Sequence, residues 1–215
     1  MPHVFVESNW LFAYAAPAHH HVPAAADLLD RARNGEFTIY IPNICFGEAR
    51  RAILTKCKPR NEADAIRRFL TLAQPDHVTK EDATTARAVL EKFENSIKKD
   101  LKNLDKTIRT LMGLPCVKIF GLDDAMLDRA TELALDEIEL DPFDHVILAS
   151  ILVYSTRLWD AGERAISFCE EDKHLQPWDK KGNTKPALRD AFDQAHVWVY
   201  GDFTLTKPQR RKDFE

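Results

Sequence analysis

Five short, mostly apolar stretches, each set off from the next by helix-patterned sequence, constrain this chain more than any other feature. They are residues 3–6, Phe37–Ile41, Val117–Phe120, Ala165–Cys169 and Val197–Tyr200. A strand wetted on one face alternates apolar with polar residues, whereas one covered on both faces reads as a continuous run. These runs do not alternate cleanly, so the spacing predicts an α/β chain: a three-layer α/β/α sandwich around a five-stranded parallel sheet. Ser8 reads as the N-cap of a short helix reaching Tyr14. Pro23 opens a second helix, with Leu28, Leu29 and Ala32 at helical spacing and Gly35 as its stop. A third starts at Pro42 and carries Ile44, Cys45, Glu48, Ala52 and Ile53, and a fourth, basic one runs from about Glu62 to Ala73. In Glu81–Leu111, Val89, Leu90, Phe93, Ile97, Leu101, Leu104, Ile108 and Leu111 recur every three or four residues. That pattern predicts a helical insertion around 80–111, either one long helix or a hairpin. Helices over Asp124–Asp136 and Pro142–Trp159 complete the set. The length of 215 residues fits a single domain over 1–215, with a C-terminal extension after about 175.

Composition removes several kinds of chemistry. The seven glycines include no two within six positions of each other. Both the P-loop and the dinucleotide fingerprint need closer glycines, so a backbone phosphate cradle is excluded. Four scattered cysteines (Cys45, Cys57, Cys116, Cys169) form no Cys-x-x-Cys and read as small buried hydrophobes. The amino terminus has no basic leader, and no run approaches the ~18 apolar residues of a membrane span. A cytoplasmic location with no membrane partner is the expectation.

In a parallel sheet, ligands sit beyond the carboxyl ends of the strands. Acids gather at that edge: Glu7 after the first strand, Asp141 and Asp144 at the start of the long apolar helix, and Glu170, Glu171 and Asp172 after the fourth strand. Glu48 is a lone acid on an otherwise apolar helix, two turns from Pro42. Carboxylates brought together repel and raise one another's pKa unless cations neutralise them. Oxygen donors without His or Cys suit Mg²⁺ or Mn²⁺, and two such ions can drive phosphodiester hydrolysis.

Val4-Phe5-Val6-Glu7-Ser8-Asn9-Trp10-Leu11 resembles the first-strand signature of PIN domain nucleases: an apolar strand, an acid, a small hydroxyl residue and an asparagine. Ile39 through Glu48 resembles the second motif, Leu140 through Ala149 the third, and Ile166 through Leu175 the fourth, in the family's order. The resemblance implies a metal-dependent endoribonuclease, as in many toxins of bacterial toxin–antitoxin pairs. It implies Glu7, Glu48, Asp144 and an acid at 170–172, with Asp172 preferred, as catalytic metal ligands for Mg²⁺ or Mn²⁺, and Asn9 as an orienting residue. RNA is the implied substrate, with an antitoxin protein and a second copy of the chain as implied partners. Three departures stand out, the first being a chain longer than the compact toxins, with extra helix around 80–111 and an extension after about 175. Glutamate replaces the family's usual first aspartate, and the fourth motif has Glu170 two residues before Asp172. These last two keep open the alternative of a catalytically impaired PIN-like module that binds RNA or a protein.

Plainer roles compete for some of these residues. Asp141-Pro142-Phe143-Asp144 fits a helix N-terminus, and for Asp141 capping is the better reading. The chain carries 34 Asp+Glu against 30 Lys+Arg, for a net charge of -4, so RNA affinity needs a local basic patch. Residues 50–70 supply one, with Arg50 and Arg51 following Glu48 closely enough to flank an acidic cleft as nucleic-acid-binding residues. Lys207, Arg210, Arg211 and Lys212 are further candidates for phosphate contacts. His19-His20-His21 reads as a surface loop, and the four tryptophans as mostly core.

Overall fold

The computed structural model describes residues 1–15, 21–56, 60–72, 78–136 and 138–206. His19, His20, Cys57 and the basic residues after Thr206 lie outside these. Five strands, β1 (His3–Phe5), β2 (Thr38–Pro42), β3 (Val117–Phe120), β4 (Ile166–Cys169) and β5 (Val197–Tyr200), form one sheet in the order β3-β2-β1-β4-β5. Every pairing is parallel, so the α/β sandwich read from the apolar runs is the fold.

The chain walks from β1 outward to β3, then jumps back across the sheet to β4 and β5. Right-handed crossovers place the helices of the two walks on opposite faces. The first face carries α1 (Ser8–Ala15), α2 (Pro23–Arg33), α3 (Ile44–Lys56), α4 (Arg60–Leu72) and α5 (Lys80–Met112). The second carries α6 (Asp124–Leu135), α7 (Pro142–Asp160) and α8 (Pro186–Gln194). The reversal falls between β1 and β4, and there the crevice of a doubly wound sheet opens. No helix among the described residues is long and apolar enough to cross a membrane.

Between sheet and helices lies one continuous core. Trp10, Phe5, Phe168, Phe192 and Phe203 are its largest fully buried members, each phenylalanine stabilising the fold by about 1.5–3 kcal/mol through burial. Trp10 also donates its indole N–H to the Ala25 carbonyl at 3.1 Å, joining α1 to α2. On the other face Phe5 meets Tyr40, Phe120 and Tyr154 at ring separations of 5.2, 6.0 and 6.0 Å.

Residues 80–112 form one helix and not a hairpin. Leu90, Ile97, Leu104 and Leu111 are its buried positions, seven apart on one stripe. Thr79 caps the start by accepting from the Asp82 N–H at 3.1 Å, and Gly113 closes the end. At 1.5 Å per residue the helix is about 50 Å long. Some boundaries differ from the expectation. Pro42 ends β2 and does not open α3, as suits a residue whose missing N–H is tolerated at a strand terminus. Helix α8 lies in the segment read only as an extension. Pro186 opens it, and Leu188, Ala191 and Phe192 bury against the sheet, Phe192 lying 6.0 Å from Phe168.

Candidate active site

Strand register decides which acids meet. Phe5 of β1 pairs with Phe168 of β4, so Glu7 and Glu170, each two residues further on, emerge side by side at the carboxyl edge. Both are buried, Glu170 completely. Glu7 occupies the N-cap position of α1, where its Oε1 accepts from the Asn9 N–H at 2.6 Å. That displaces Ser8 from its expected capping role and frees its hydroxyl for the acids. Ser8 Oγ is within hydrogen-bonding reach of Glu7 Oε2 and, at 2.5 Å, of Glu48 Oε2. A hydroxyl has one proton to donate, so one of these carboxylates is left facing an oxygen lone pair.

Glu170 Oε1 accepts from the Asp172 backbone N–H and, at 3.4 Å, from the Asn9 side-chain amide. No backbone or amide donor reaches its buried Oε2, and the neighbouring Glu7 carboxyl is the group with which it interacts through a shared proton. The Gln176 side chain holds the Glu170 carbonyl at 2.7 Å and fixes the turn. Burial raises the pKa of both glutamates, that of Glu170 well above the usual carboxylate range, and the charge of Glu7 pushes Glu170 further. Cys45 lies against the same group. Burial and the nearby charges of Glu7, Glu48 and Glu170 hold its thiol well above its ordinary value, so it is an inert neighbour and not a nucleophile.

Above this buried pair lies an open cleft of about 420 Å³, lined by Glu48 and Arg51 of α3, Asp141, Phe143 and Asp144 at the start of α7, and Asp172. Asp144 is raised to about 6, first by burial and then by the charges of Glu48, Asp172 and Asp141. Asp141 accepts from the Phe143 N–H at 3.1 Å and so caps α7. Asp141→Ala should therefore lower stability by about 1 kcal/mol, read as a melting point lower by roughly 2–4 °C.

All of the candidate ligands thus come to one edge, in two tiers. Glu7 and Glu170 form the buried floor, while Glu48, Asp144 and Asp172 line the cleft. Asn9 joins the set through Glu170. The consecutive arginines part company: Arg51 lines the cleft, and Arg50 pairs with Asp105 of α5. Sequence reasoning read Ser8 as an N-cap and as the small hydroxyl residue of the first motif, without a contact to the acids, and passed over Phe143. Each stands beside a candidate acid, and that adjacency was the available signal. Among the described residues, no group of three His, Cys, Asp or Glu side chains is arranged to hold a metal ion. The donor set is still the kind that takes one: four carboxylates line the cleft with a single arginine, and Glu7 and Glu170 lie buried beneath them.

Neither a family model nor a curated protein matches this chain.

Proposed function

We propose that this chain is a Mg²⁺- or Mn²⁺-dependent endoribonuclease of PIN type, with Glu7, Glu48, Asp144, Glu170 and Asp172 as the acids that hold the cations. The observation that carries this reading is the Ser8 hydroxyl set between Glu7 and Glu48, beside a Glu170 oxygen that no backbone or amide donor reaches. A protein that needed no cation there would gain stability from apolar or neutral groups in place of buried, mutually repelling acids. Divalent cations, when bound, supply a water nucleophile at neutral pH and charge stabilisation on the phosphodiester. The chain's own residues supply placement. Asn9 and the Asp172 backbone N–H fix the Glu170 carboxylate, Ser8 holds the spacing of Glu7 and Glu48, and Arg51 offers the cleft a positive group for phosphate.

Metal-dependent cleavage of single-stranded RNA, lost with EDTA and reduced at least about 100-fold in Asp144→Asn, is the expected result with purified protein on a mixed RNA and DNA panel. Cleavage that survives both would overturn the site. The second reading, a PIN-like module that binds RNA or a protein without cutting, is favoured by one observation. Both oxygens of Glu7 are already engaged, by Ser8 and by the Asn9 N–H. It predicts RNA retention with no cleavage under any metal. An antitoxin or a second copy as partner, and a cytoplasmic location, follow from the family likeness and sequence alone.

A further inference from the structure

We propose that Phe143 and Arg51 form a clamp for one unpaired nucleotide at the mouth of the cleft. This rests on the ribonuclease reading above and adds to it the means by which the strand is held.

Phe143 departs from the behaviour of its helix. Ile147, Leu148, Ile151 and Leu152 of α7 are buried in the core, whereas Phe143 is 37% exposed. Its ring instead lines the cleft immediately beside Asp144. The Asp141 cap fixes the backbone from which the ring projects, since the Asp141 carboxylate accepts from the N–H of Phe143 itself. An exposed aromatic ring at the mouth of an acidic cleft offers a face to a flat partner, and nucleobases stack on such rings whatever their identity.

Arg51 supplies the second half. It lines the same cleft from α3, and no ion pair involving it is found among the described residues, unlike Arg50 with its Asp105 partner. Lined also by Glu48, Asp144 and Asp172, the cleft presents one cation, one aromatic face and the acids. A nucleotide offers the complement: a phosphate for the guanidinium and a base for the ring. The volume of about 420 Å³ lies within the range of pockets that enclose small molecules and is far from that of a duplex. Bases paired within a helix present only their edges to a recess of this kind, so a duplex would have to extrude a base to engage Phe143. Because stacking does not read hydrogen-bonding edges, the clamp selects strandedness and not sequence.

The test uses the full chain and its Phe143→Ala and Phe143→Trp variants, with RNA oligonucleotides carrying 2-aminopurine at successive positions, single-stranded or annealed to a complement. Expected with Mg²⁺ or Mn²⁺ are quenching at one position on binding to the wild type and loss of that quenching in Phe143→Ala. KM should rise roughly 10- to 100-fold in that variant, with the loss falling in KM more than in kcat, and Phe143→Trp should restore both signals. Wild-type KM in Phe143→Ala, or equal cleavage of duplex and single strand, would overturn the clamp and leave the ribonuclease reading standing. Position-specific quenching that depends on Phe143 without any cleavage would support the clamp and sink the ribonuclease reading. Neither quenching nor cleavage would overturn both.

Discussion

The metal-free protein should melt higher at pH 5 than at pH 8, and millimolar Mg²⁺ or Mn²⁺ should restore most of the difference at pH 8. Glu7, Glu170 and Asp144 are all raised in the folded chain, Asp144 to about 6. A carboxyl with a raised folded value keeps its proton while the same group in the unfolded chain has already ionised. Stability therefore falls as pH climbs from the unfolded values near 4 through the folded ones, and stays lower above them. Each tenfold displacement of an ionisation equilibrium is worth about 1.4 kcal/mol. A net of about 3 kcal/mol across the cluster corresponds to roughly 6–12 °C for a chain of this size. On the acid side the order reverses. Asp123 beside Arg157, Asp179 beside Asn183 and Glu163 beside His3 are held below their ordinary values, so stability is lost again as pH drops through that range. Thermal melts at four pH values, with and without cation, check both limbs, and Glu170→Gln should flatten the neutral limb. A melting point that rises from pH 5 to pH 8 without metal would show that the cluster is not the destabilised anionic centre described above.

Phe5→Ala should cost about 3–5 kcal/mol, a large fraction of the 5–15 kcal/mol typical of a domain. Phe5 is fully buried at the carboxyl end of the central strand, and its ring touches Tyr40, Phe120 and Tyr154, which come from three other elements. Truncation would leave a cavity that these rings cannot all collapse into, because Phe120 and Tyr154 already pack against each other at 4.3 Å. Phe5→Leu fills most of that space and should cost less than half as much. Urea unfolding followed by circular dichroism separates the two. Equal costs would mean that ring-to-ring geometry, and not volume, holds the sheet against α7.

The sheet was legible because a strand covered on both faces leaves a mostly apolar run, a local signal. Helix α8 had its signal too, with Pro186 at the start and Leu188, Ala191 and Phe192 at helical spacing. It was passed over because polar turns flank it. The choice among Glu170, Glu171 and Asp172 was a different matter. It depends on Phe5 pairing with Phe168, a register between segments more than 160 residues apart, and no local pattern encodes that. Likewise, Arg50 and Arg51 look equivalent in sequence, yet consecutive helical residues point about 100° apart, and only one reaches the cleft. Glu7 could be read as a solvated strand end until β1 was placed in the centre of the sheet, where its carboxyl edge is enclosed from both sides.

The floor of the site joins the first strand to the fourth, so its chemistry belongs to neither end of the chain alone. A growing polypeptide on the ribosome has β1, β2 and β3 long before β4 emerges, and until then Glu7 has no Glu170 beside it. On the ribonuclease reading proposed above, a nascent chain would lack a complete centre until β4 slots in beside β1.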